Sequence, residues 1–164
     1  MKNLLLKYTR YNLWANTKVC NEFIAKLDPI LLDKEVPSSF PSIRKTLYHI
    51  WDAETVWYQR LNQEPNIKWP PHADFKGTFS EFQKLFLLQS EQLCQWVENR
   101  SEEDLQKDFQ YLDSRGKSHS NNIHDAVHHC MNHSTFHRGQ LVTMLRNVGF
   151  TELSSTDYIA YCRL

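Results

Sequence analysis

Apolar positions recur along this chain every three to four residues, the period of helices buried on one side. From Leu4 to Leu27, Leu5, Tyr8, Ala15, Val19 and Phe23 share a stripe with Asn12 inside it, and Asp28-Pro29 closes the segment because a residue before proline is driven out of the helical region. A second stripe, Ile43, Thr46, Ile50, Ala53, Trp57 and Leu61, predicts a helix over 42–62, with His49 on its edge. Residues 63–77 carry Glu64-Pro65-Asn66 and Trp69-Pro70-Pro71 with no period, a long loop able to cover a pocket or merely cross the end of a bundle. Thr78-Phe79-Ser80-Glu81 has capping-box spacing and opens a third helix to about Arg100, with Phe82, Leu85, Phe86, Gln89, Leu93 and Trp96 inward. Ser101-Glu102-Glu103-Asp104 starts a short turn of helix, and Phe109 to Leu112 alternates into the turn signal Asp113-Ser114-Arg115-Gly116, the mark of a small hairpin.

The last long helix runs from an N-cap at Asn122 to Val148, with Gly149 as its stop. Taking His133 as zero, Ala126, Cys130, His137, Gln140, Leu141, Met144 and Val148 fall within about 80° of it, which predicts the buried face. Asn12 and Trp14 are weighed as lining a site, and for both the packed reading, with one buried amide bond, is preferred. Residues 151–164 are expected to be a short helical or extended packing segment. The whole predicts an all-α protein of four main helices, interrupted by a hairpin or irregular insertion before the last, in a single domain over 1–164.

Lysine plus arginine and aspartate plus glutamate are 19 each, so no basic footprint points to nucleic acid and no acidic tail to a basic partner. Leu4-Leu5-Leu6 is too short for a signal or a membrane span, so the expectation is a soluble cytoplasmic protein. Cys20, Cys94, Cys130 and Cys162 form no C-x-x-C pair and read as free core thiols; Cys130, beside the histidines, is the one candidate ligand or reactive thiol.

Chemistry concentrates between His129 and Gln140. His129, His133 and His137 recur every fourth residue, drifting about 40° per step, so they share a helix face. Two imidazoles in an apolar stripe need partners for both nitrogens, since an unpaired buried polar group costs roughly 2–7 kcal/mol on transfer scales. A divalent cation meets that need if each ring binds metal through one nitrogen and donates from the other; a network to Gln140, Asn132 or tyrosines is the competing arrangement. His124 and His128 project to the opposite, solvent side. No H-E-x-x-H and no Glu-x-x-His occurs, which disfavours zincin-like proteases and ferritin-like di-iron bundles, and there is no glycine-rich phosphate loop. Ser134 and Thr135 have no activating partner at local spacing. Asp52 and Glu54 face away from His49 by helical angle, so no general base is assigned.

Tyr11-Asn12-Leu13-Trp14-Ala15-Asn16, Leu47-Tyr48-His49-Ile50, Asn132-His133-Ser134-Thr135-Phe136-His137-Arg138-Gly139-Gln140 and Asp157-Tyr158-Ile159 together resemble the DinB family in order and spacing. The resemblance implies a four-helix bundle, commonly a homodimer, whose metal is held by one histidine of the second helix and two of the last, matching His49, His133 and His137. It leaves His129 close to the metal without making it a ligand; His129, Asn132 and Gln140 are candidates to orient the ligands. Three neutral nitrogens suit Zn²⁺ or Ni²⁺ and leave positions for water and substrate. The expected function is a metal-dependent hydrolase or thiol transferase that activates water or a low-molecular-weight thiol toward a small molecule. The alternative is a non-catalytic, stress-linked metal-binding or dimerisation bundle, its shell closed by Cys130 or His129.

Overall fold

A computed structural model describes residues 1–164 as mostly helical, with a small two-stranded sheet. The long helices are α1 (Lys2–Lys18), α2 (Ile43–Leu61) and α3 (Phe79–Glu98). After α3 come the short α4 (Glu102–Leu105), the strands β1 (Asp108–Leu112) and β2 (Ser118–Asn122), the longest helix α5 (Ile123–Asn147) and a final turn α6 (Tyr158–Tyr161). The end signals act as the sequence suggests. Ser42, Thr78, Ser101 and Asn122 each accept a backbone N–H of the helix they open, and Thr78–Glu81 and Ser101–Asp104 close reciprocal capping boxes. Gly149 follows α5 at φ +94°, a left-handed stop that a side chain would strain. The hairpin pairs Asp108 with Asn122 and Leu112 with Ser118.

The first helix differs from its reading as one α-helix to Leu27. Regular helix ends at Lys18 and continues as a wider π turn over Val19–Phe23 and a 3₁₀ turn over Ile24–Lys26. The altered winding turns Val19, Cys20, Phe23 and Ile24 all into the core.

Helices α1 and α3 pack together, as do α2 and α5, with further contacts of α1 on α5 and α2 on α3. Two apolar clusters fill the interior. One joins Val19, Phe23, Ile43, Ile50, Phe82, Phe86, Leu141 and Leu145, and the other joins Leu5, Leu61, Leu93, Val97, Leu105, Phe109, Val127 and Met131. The order in which each helix meets them sets its direction: α1 and α5 run from the second to the first, α2 and α3 the opposite way. Each fully buried Phe or Leu stabilises the fold by about 1.5–3 kcal/mol, so these clusters dominate cohesion.

Between the clusters lies a polar layer, with contributions from all four long helices. Glu54 of α2, 0% exposed, accepts Nδ2–H of Asn12 at 2.7 Å and of Asn16 at 3.0 Å. It also accepts the hydroxyl of Ser90 at 2.6 Å and of Ser134 at 2.9 Å. Arg138, 2% exposed, donates to the Oδ1 atoms of Asn12 and Asn16. A buried carboxylate and a buried guanidinium are therefore linked through two amides, which is how a low-dielectric interior tolerates both.

Two expected burials are corrected. Leu85 is 39% exposed, because α3 turns Phe82, Phe86, Ser90, Leu93 and Val97 inward and leaves Leu85 at the margin. On α5 the buried arc includes Val127, Met131, Ser134, Arg138 and Leu145, and Gln140 and Val148 are only half-buried. Its centre stands about 90° round from His133, which places that residue, half-buried, on the rim facing α2, while His137 is buried as expected.

Candidate metal centre

Antiparallel pairing of α2 with α5 brings His49 to the level of His133 and His137. Their ligand atoms all lie within 4.8 Å of one another. Nε2 of His133 is 3.0 Å from Nε2 of His49 and 3.2 Å from Nε2 of His137. Three nitrogens around one Zn²⁺ at about 2.0–2.1 Å in a tetrahedral shell stand about 3.4 Å apart, close to these separations.

The proton arrangement tests whether a cation fits. Nδ1–H of His137 donates to Oε1 of Gln140 at 2.7 Å, so its Nε2 presents a lone pair to the centre. A proton on Nε2 of His133 would serve one neighbour and leave the other lone pair opposed. It would also make the buried Nδ1 of His133, which has no partner, an orphan acceptor. Protonating the imidazoles is costly: burial, then the nearby His137 and His49 rings, push His133 down to about 3. Burial first, then His137, push His49 down to about 4. Burial also lowers His137, opposed by its bond to Gln140. Three neutral imidazoles with converging lone pairs are positioned to bind a metal ion.

Aromatic rings wall the centre. Phe40 stacks on His49 with centroids 3.8 Å apart and meets His137 edge-on at 5.6 Å. Trp69 stands edge-on to His49 at 6.1 Å, so the proline-rich loop covers this side. Asp52 of α2, buried, accepts the backbone N–H of His72 at 2.8 Å and pairs with its ring Nδ1, pinning that loop; His72 also stacks on Tyr48. Two hollows flank the site. One of about 580 Å³ shares Trp69, and one of about 510 Å³ shares Gln140 and Phe136.

The other candidates separate clearly. Gln140 accepts from the ring of His137; Asn132 is exposed; and His129 packs on Trp57 at 5.2 Å, with its centroid 6.1 Å from that of His133. Cys130 is 0% exposed inside the second apolar cluster, and burial raises its thiol well above the ordinary value, so it is neither ligand nor nucleophile. All four cysteines are free. Asn12 belongs to the buried layer, and Trp14 packs on Tyr11 and Tyr161 away from the metal centre. Glu54 stands about 140° round α2 from His49 and enters the polar layer, as expected; Asp52 stands only about 60° from His49 and is engaged instead by His72.

Sequence reasoning missed Phe40, Trp69 and His72 because loops have no period to place them. It missed the link from Glu54 through Asn12 and Asn16 to Arg138 because polar groups on separate helices show no spacing. One regularity could have exposed it. Each of these two α5 histidines is followed at once by a residue of the polar layer, Ser134 after His133 and Arg138 after His137. A step of one residue turns about 100°, from rim to interior.

The sequence model of the DinB family matches residues 1–164, over which these histidines and the buried layer are distributed. The chain belongs to the DinB family. A relative named Protein DinB, from Bacillus subtilis (strain 168), is 27% identical over 170 residues, covering 98% of this chain and 95% of that protein. No helix of this DinB-family chain is long and apolar enough to cross a membrane.

Proposed function

We propose that this DinB-family protein is a metal-dependent enzyme built on a single four-helix-bundle domain, with His49, His133 and His137 holding Zn²⁺ or Ni²⁺. The observation that carries this reading is the convergence of three neutral Nε2 atoms, two of them 3.0 and 3.2 Å from the third, in a donor group that contains no fourth residue. A divalent ion on three histidines supplies Lewis acidity at a remaining coordination position, enough to activate water or a low-molecular-weight thiol near neutral pH. The protein's own part is positional. Gln140 fixes the tautomer of His137, Phe40 and Trp69 exclude water from His49, and the polar layer behind α5 holds His133 and His137 in register. The reaction fitting these parts is hydrolysis or thiol transfer on a small molecule entering from a flanking hollow, carried out by a cytoplasmic homodimer.

The test is elemental analysis of the purified protein and of His133→Ala, with circular dichroism alongside. Wild type is expected to carry about one Zn²⁺ or Ni²⁺ per chain, and the variant none, at nearly unchanged helix content. Titrating the Co²⁺-substituted protein with 2-mercaptoethanol should then change its visible spectrum. Full metal occupancy in His133→Ala ends the proposal, and a spectrum indifferent to thiol ends its thiol branch.

A further inference from the structure

The hollow of about 580 Å³ beside Trp69 contains a guanidinium with no counter-ion. Arg60, on the last turn of α2, is half-buried, with its guanidinium carbon 4.8 Å from the ring centre of Trp57 and 5.0 Å from that of Tyr111. These faces hold the guanidinium plane but offer no acceptor oxygen in line with its N–H groups. Its Nε is buried without a hydrogen-bond partner. Two carboxylates line the same hollow, and neither forms an ion pair with Arg60. Asp113 accepts the backbone N–H groups of Arg115 at 2.8 Å and Lys117 at 3.0 Å and pairs with His119 at 2.9 Å, while Glu64 is turned to solvent. Burial accordingly lowers the pKa of the guanidinium, with Tyr111 and Asp113 acting in the opposite sense.

Position ties this cation to the histidines. Arg60 follows His49 by eleven residues, which returns it to within about 20° of the same side of α2, about 16 Å further along. Between them Trp69 both lines the hollow and meets His49. A volume of this size accepts a small organic molecule.

We propose that Arg60 is the anion-recognition residue of this protein, holding the carboxylate or phosphate group of a small organic substrate whose other end reaches the three imidazoles. The hydrophobic faces of Trp57 and Tyr111 preorganise the fork, so a bidentate oxyanion meets a donor pair already in place. This inference rests on the functional reading above, since it treats the hollow as the substrate's approach to the metal centre.

Succinate and inorganic phosphate, with neutral succinamide as control, are titrated against chelated protein. Binding is read by tryptophan fluorescence and by the Arg60 Nε–Hε cross-peak in NMR. At least one anion should saturate in the millimolar range and shift that cross-peak, and succinamide should do neither. Arg60→Met should weaken the binding about tenfold to a hundredfold, the value of a charge-assisted hydrogen bond, and Arg60→Lys should keep part of it. The titration is made without metal, whereas metal content is read by elemental analysis, so a failed metal reading and a failed Arg60 reading give different results. The proposal is overturned if neither anion saturates folded wild type, if succinamide binds as well as succinate, or if Arg60→Met or Arg60→Lys, whichever folds, binds unchanged.

Discussion

Replacing Glu54 by leucine probes the scaffold that holds the three histidines. The carboxylate accepts four side-chain donors, from Asn12, Asn16, Ser90 and Ser134, and is linked to Arg138 through the two amides. Some of those donors have a second partner, since Ser90 also reaches the carbonyl of Phe86 at 3.2 Å and Asn16 also reaches Ser90 at 3.0 Å. Nδ2 of Asn12 has none. Counting one or two orphaned donors at about 1–3 kcal/mol each, plus a guanidinium left without a negative group in its network, the expected loss is about 3–5 kcal/mol, the usual cost of breaking a buried ionic pair. That is a large part of the roughly 5–15 kcal/mol by which a domain is stable. The assay is urea unfolding followed by circular dichroism, in chelator so that metal binding does not mask the loss. Glu54→Leu combined with Arg138→Met should be less destabilised than the two single changes summed, because no unpaired charge then remains. A single-variant loss below about 1 kcal/mol, or strict additivity in the pair, would refute the account of the polar layer.

Gln140→Leu removes the acceptor from Nδ1–H of His137 and should weaken metal binding about 10–100-fold with little change in stability, as chelator competition would show. The folded-state values of about 4 for His49 and about 3 for His133 lie below the unfolded value of 6.5. The unfolded chain therefore binds more protons in this range, so metal-free stability should be fully present above pH 6.5 and decline as pH falls from there toward 3. Urea midpoints that rise on acidification from pH 7 to 5 would contradict that sign. Asp52→Ala releases His72 from α2, and limited proteolysis should then cut residues 63–77 faster than in wild type while the helical signal persists.

Much of the architecture is legible from residue type alone. Ser42, Thr78 and Asn122 announce helix starts, Gly149 an end, and Asp113-Ser114-Arg115-Gly116 a hairpin turn, because capping and turn chemistry act on the nearest few residues. The four-residue spacing of His133 and His137 likewise places two imidazoles together before any tertiary contact forms. What no local rule contains is the azimuth of each helix about its axis. Only packing decided that α5 turns Ser134 and Arg138 to the interior and leaves His133 at the rim, since polar side chains weaken the apolar stripe that pattern reading follows. Packing also decided that Phe40 and Trp69, from loops with no period, both meet the ring of His49, and that Trp69 lines one hollow with Arg60. Short-range chemistry thus determined the elements and their ends, and the burial of four helices against one another determined which side chains meet.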